Sequence, residues 1–177
     1  MKKKLLLISI ILTFAIPILS GCFEGEEEVA QPNPQEEYNK TFEYAINESN
    51  KLLDRYSSNL DKLYIDEYTP EQFGVIVREV IGTSNDIVTK VDRTDASKEM
   101  FEFHQKVLTY LQNQHNLFLS SISQANAAKN NQQITLDKQN LRNSYMEVKT
   151  EQSNLLKQWK EMSGLSVELN NSVEQAQ

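Results

Sequence analysis

The sequence predicts an all-α protein, an elongated up-down bundle of about four long amphipathic helices behind a disordered acidic tether. Three observations lead there. Apolar residues recur at spacings of three and four over four long stretches. No stretch of more than a few residues alternates apolar with polar as a strand does. Glycine is scarce, five in 177 residues, and only Gly74, Gly82 and Gly164 fall in the part expected to fold.

The first helix is expected from about Glu36 to Ile65. Tyr38, Phe42, Ala45, Ser49, Leu53, Tyr56, Leu60 and Leu63 form one stripe, widened by Ile46, Leu52 and Tyr64. Asp66 to Thr69 reads as a turn. Thr69-Pro70-Glu71-Gln72 then reads as a helix start: Thr69 caps, Pro70 suits the first helical position and Gln72 completes a capping box. The second helix carries Phe73, Ile76, Val77, Val80, Ile87, Val88 and Val91. Gly82-Thr83-Ser84-Asn85 interrupts it with poor helix formers. Close packing against a neighbour or a kink is the preferred reading there, and a hinge or small polar groove is the functional one.

Thr94 or Asp95 is expected to cap the third helix, which runs to about Ala128. Met100, Phe101, His104, Val107, Leu108, Leu111, His115, Phe118, Ile122 and Ala125 form its stripe. After a polar connection at Lys129 to Gln133, a fourth helix is expected from about Thr135 to Met162, on Leu141, Tyr145, Val148, Leu155, Leu156, Trp159 and Met162. Ser163-Gly164 is its natural stop. Residues 165–177 read as a C-terminal tail or a short fifth helix, so the bundle domain spans 38–164. Short links favour up-down topology, and spacings near 3.5 favour coiled-coil-like shallow crossing.

The chain opens differently. Lys2, Lys3 and Lys4 precede an apolar run from Leu5 to Ile16, then Pro17 and the small residues Ser20 and Gly21. These are the three parts of a secretory signal, and the apolar run is short of the ~20 residues of a spanning helix. Leu19-Ser20-Gly21-Cys22 resembles the lipobox of bacterial lipoproteins. That resemblance implies a signal peptide over residues 1–21 that is cleaved, and a diacylglyceryl group on the Cys22 thiol. It further implies a protein held by acyl chains at the extracytoplasmic face of the cell membrane. Two or three acyl chains anchor stably where one is marginal. The segment 22–37 reads as a tether: it holds six glutamates, Pro32 and Pro34, and no basic residue.

Charge narrows the partners. The signal carries three of the 18 basic residues and none of the 25 acidic ones, leaving 15 against 25, a net charge of −10. Such a surface argues against nucleic acid, whose phosphates require a basic face. Cys22 is the only cysteine, so no disulfide or thiolate cluster forms within the chain.

No catalytic constellation emerges, and no cofactor or metal site is expected. His104 and His115 share a face three turns apart, ~16 Å along the axis, too far to share a metal. Neither sits in the Glu-x-x-His pattern of carboxylate-bridged bundles, and both read as structural. Asp66 with Glu67, and Glu147 with Glu151, read as solvated faces, and Trp159 as core. The Asn47-Glu48-Ser49 glycosylation pattern has no role behind a lipobox. The polar faces of the third and fourth helices, rich in Asn and Gln, can hydrogen-bond a glycan or another helix. The expected function is a non-enzymatic interaction or scaffold module of the cell envelope with an envelope protein as partner. The alternative is a lipoprotein that binds a small ligand or wall glycan, in a groove near Gly82 to Asn85.

Overall fold

A computed structural model describes residues 34–130 and 135–163. The signal, Cys22, most of the tether, Gly164 and the 165–177 segment lie outside the described residues. Among the described residues five helices follow one another: α1 (Pro34–Tyr64), α2 (Pro70–Arg78), α3 (Ile81–Asp92), α4 (Phe101–Asn130) and α5 (Lys138–Ser163). No strand occurs among the described residues. The protein is an all-α helical bundle.

Cross-helix pairs give the directions. Arg55 of α1 pairs with Glu79 beyond the end of α2, and Thr94 after α3 meets Thr41. Glu71 of α2 pairs with Lys129 at the end of α4. Asp61 of α1 pairs with Arg142 of α5, while Tyr38 meets Trp159 at the other end. Each helix position therefore runs antiparallel to its neighbours. The broken α2–α3 segment and α5 each touch both α1 and α4, so α1 and α4 face one another across a diagonal of the bundle.

Local chemistry explains most boundaries. α1 starts at Pro34, so residues 34–37 of the expected tether are helix instead. Proline fits a first helical turn because its missing N–H has no partner there anyway, and Glu36 and Glu37 complement the helix N-terminus. The Thr69 capping box forms as expected: Gln72 N donates to Thr69 Oγ1 at 3.2 Å, and Thr69 N donates to Gln72 Oε1 at 2.9 Å. α5 begins at Lys138 rather than Thr135, because Asp137 is the cap; its Oδ1 accepts from Asn140 N at 2.9 Å. Leu136 and Leu141, which flank that cap in hydrophobic-staple positions, are both buried.

Two expectations are corrected. The third long helix starts at Phe101, not near Thr94 or Asp95. The Thr94 hydroxyl is already committed, donating to Lys90 O at 2.9 Å and so closing the end of α3. The second helix does break, but at Glu79 and Val80, before Gly82. There Glu79 N and Val80 N donate three residues back, to Ile76 O and Val77 O, which tightens the turn. The apolar stripe survives the break: Phe73, Val77, Val80, Ile87 and Val91 are all buried. Close packing occurs at a different glycine. A Cβ on Gly74 would lie 2.8 Å from Ala125 Cβ, whereas one on Gly82 meets nothing within 4 Å.

The expected stripe of α1 is buried throughout, from Tyr38 to Leu63. Other assignments shift. Phe101 is 56% exposed and Met162 47% exposed, while Phe103 and Tyr110, which lie outside the expected stripe, are buried. At one end Phe42, Phe103 and Trp159 cluster, Phe103 stacked on Trp159 and edge-on to Phe42, with Phe42 and Trp159 centroids 4.4 Å apart.

Candidate functional site

Three places concentrate polar chemistry. The first is a buried hydrogen-bonded ladder across the middle of the bundle. Lys149 Nζ donates to Gln152 Oε1 (3.0 Å), and Gln152 Nε2 donates to the Tyr110 hydroxyl (2.6 Å). Tyr110 meets Ser49 Oγ (2.5 Å), which donates to Gln114 Oε1 (2.7 Å), and Gln114 Nε2 returns to Ser49 O (3.0 Å). About two turns away, the Tyr56 hydroxyl meets Ser121 Oγ at 2.8 Å. Burial pushes the Tyr110 hydroxyl pKa well up, against its bonds to Ser49 and Gln152, and pushes that of Tyr56 up to about 12. Lys149 is driven down by burial. These groups satisfy one another inside the core, so they hold helices together rather than await a ligand.

The second place is the aromatic end. His104 is 6% exposed and lies edge-on to Tyr38, with centroids 5.6 Å apart. Its Nδ1, the Tyr38 hydroxyl and Trp159 Nε1 find no partner among the described residues. Burial lowers the His104 pKa and outweighs the opposing pull of Asp92. His115 stands apart from it, with Nδ1 3.2 Å from Ser84 Oγ. Ser84 is the buried member of the Gly82–Asn85 stretch, and Gly82, Thr83 and Asn85 are exposed. Through Ser84 that stretch contacts a histidine of α4.

The third place is a groove of about 390 Å³ between α4 and α5. Asn113, Asn116 and Ser120 line it from α4, and Ser144, Glu147 and Glu151 from α5. Leu117 and Val148, both buried, make an apolar floor. Asn113 Nδ2 spans the Glu151 carboxylate, 3.0 and 3.3 Å from its two oxygens. This is the polar face of the third and fourth long helices, where the Asn-rich pattern pointed. That Ser120 of α4 lines the same groove as Glu147 and Glu151 of α5 depends on the register of two helices, which no single stretch of sequence displays.

Among the described residues no group of three or more His, Cys, Asp or Glu side chains is placed to hold a metal. None of the described helices is long and apolar enough to cross a membrane. No protein-family model, curated protein or solved structure matches the chain.

Proposed function

We propose that the chain is a lipid-anchored extracytoplasmic protein whose bundle serves as a non-enzymatic interaction module of the cell envelope. The observation that carries this reading is the α4–α5 groove, an open hydrogen-bonding face with an apolar floor. It lies on a bundle whose mid-core polar groups are already bonded to one another. Lys2 to Lys4, the apolar run and Leu19-Ser20-Gly21-Cys22 support the anchor. The test is in-cell crosslinking and purification from solubilised membranes, comparing the native chain with Cys22→Ala. A defined partner lost with the anchor is the expected outcome; no partner in either form removes the reading. The groove's Asn and Ser side chains also favour a second reading, a binder of a small ligand or wall glycan, which a ligand screen on the purified protein addresses.

A further inference from the structure

We propose that the α4–α5 groove docks an extended basic segment of a partner protein, with two lysine or arginine side chains two positions apart meeting Glu147 and Glu151. This rests on the interaction-module reading and specifies the partner's chemistry.

Charge is the first argument. Both acidic residues of the lining stand on one helix, one turn apart, and no basic residue lines the groove. Neither forms an ion pair among the described residues, whereas Asp61, Asp66, Glu71 and Glu79 each hold a cation from another element. Like charges at this spacing repel along a helix. A ligand that brings two cations removes that repulsion.

Spacing is the second. Four residues of helix rise ~6 Å. In an extended chain, residues i and i+2 point the same way and lie ~6.6 Å apart. Alternate side chains of a strand-like segment therefore match Glu147 and Glu151 in pitch. The lining runs over seven residue steps on each helix, about 10.5 Å, which accommodates roughly three extended residues.

The rest of the lining fits the same occupant. Asn113 holds the Glu151 carboxylate in place. The side chains of Asn116, Ser120 and Ser144 make no hydrogen bond among the described residues and are available to peptide N–H and C=O groups. The aliphatic floor of Leu117 and Val148 suits the methylene stems of lysine or arginine.

The test uses the full lipidated chain in neutral detergent and a fluorescein-labelled peptide, Ser-Lys-Thr-Lys-Ser, read by anisotropy at low salt. Binding is expected, and its replacement Ser-Glu-Thr-Glu-Ser should not bind. E147Q/E151Q should weaken binding about 2- to 30-fold, the range for losing two exposed ion pairs. The charge-matched control E43Q/D86N, on exposed positions of α1 and α3, should change it less than about twofold. Circular dichroism melting of both variants confirms that the fold is retained. No binding of the lysine peptide, equal weakening by the control, or an unaffected E147Q/E151Q variant overturns the proposal. Displacement of the peptide by a glucosamine oligosaccharide that itself binds more tightly, and depends on Glu147 and Glu151, overturns the peptide occupant in favour of an amino sugar. Crosslinking in cells separates the two readings. A partner still captured by E147Q/E151Q overturns only the groove, whereas a wild-type chain that captures nothing overturns the interaction module.

Discussion

Gly74 of α2 packs so near Ala125 of α4 that a single added methyl would disturb the two helices. A Cβ on Gly74 falls 2.8 Å from Ala125 Cβ, and no other atom beyond its own helix lies within 4 Å. Carbon atoms pack best ~3.5–4.0 Å apart. Both carbons are fixed to helix backbone, so neither can swing aside and α2 must shift from α4. Gly74→Ala gains about 1 kcal/mol of helix propensity and incurs about 1–3 kcal/mol of overpacking. The expected net result is destabilisation by about 1 kcal/mol. Ala125→Gly loses a buried methyl and helix propensity, about 1.5–2 kcal/mol together. The double variant moves the methyl from one helix to the other and removes the clash, so it should return to within about 0.5 kcal/mol of the parent. The implied coupling is about 2.5–3 kcal/mol. Urea denaturation followed by the fluorescence of Trp159, with m unchanged across the series, measures it. Additive singles, or a Gly74→Ala variant more stable than the parent, would refute the packing argument.

Gly82→Ala is expected to act in the opposite sense, stabilising by up to ~1 kcal/mol in the same denaturation series, because its Cβ meets nothing. Tyr110→Phe strips the hydroxyl shared by Gln152 and Ser49 and should cost about 1–3 kcal/mol; an unchanged midpoint would mean the ladder contributes nothing. Because burial lowers the His104 pKa, the unfolded chain takes up a proton below ~6.5 that the folded chain refuses. Stability that is present above that pH is therefore lost as pH falls through it, by up to ~1.4 kcal/mol per unit. His104→Phe should flatten this slope between pH 6.5 and 5.5, where carboxylates titrate little, and an identical slope in the variant would remove histidine as the cause.

Elements of the bundle were legible wherever a single helix held the whole signal. The α1 stripe needed only its own spacing, and Tyr38 through Leu63 are buried as that spacing implies. The Thr69 box and its proline are likewise local chemistry. What escaped reading depended on another helix. Gln114 and Gln152 look like surface amides in sequence, yet both are buried, because Ser49 and Tyr110 supply their partners. Ser49 occupies a stripe position of α1, and its partners Tyr110 and Gln114 lie on another helix. Thr94 reads as a cap for the following helix, but the backbone of the preceding one claims its hydroxyl. Gly82 carries the obvious irregularity, while the glycine that permits close approach, Gly74, sits unremarked within an apolar run.

The ladder and the groove are two faces of one level of the bundle. Tyr110 and Gln114 point inward from α4, and Asn113, between them in sequence, points outward to the groove. On α5, Gln152 points inward and Glu151, its neighbour, outward. The Gln152–Tyr110 bond inside and the Glu151–Asn113 bond outside therefore fix the same register between α4 and α5. An aliphatic seam alone tolerates a slip along the helix axis, whereas a buried donor displaced by a turn loses its partner and incurs the desolvation cost. A slip of one turn moves α5 by ~5.4 Å, nearly the Glu147-to-Glu151 spacing, and would set Glu147 opposite Asn113. The internal polar groups thus hold the outer carboxylates at the positions on which the groove's chemistry depends. The core residues that look least suited to a hydrophobic interior are the ones that fix the register of the α4–α5 groove.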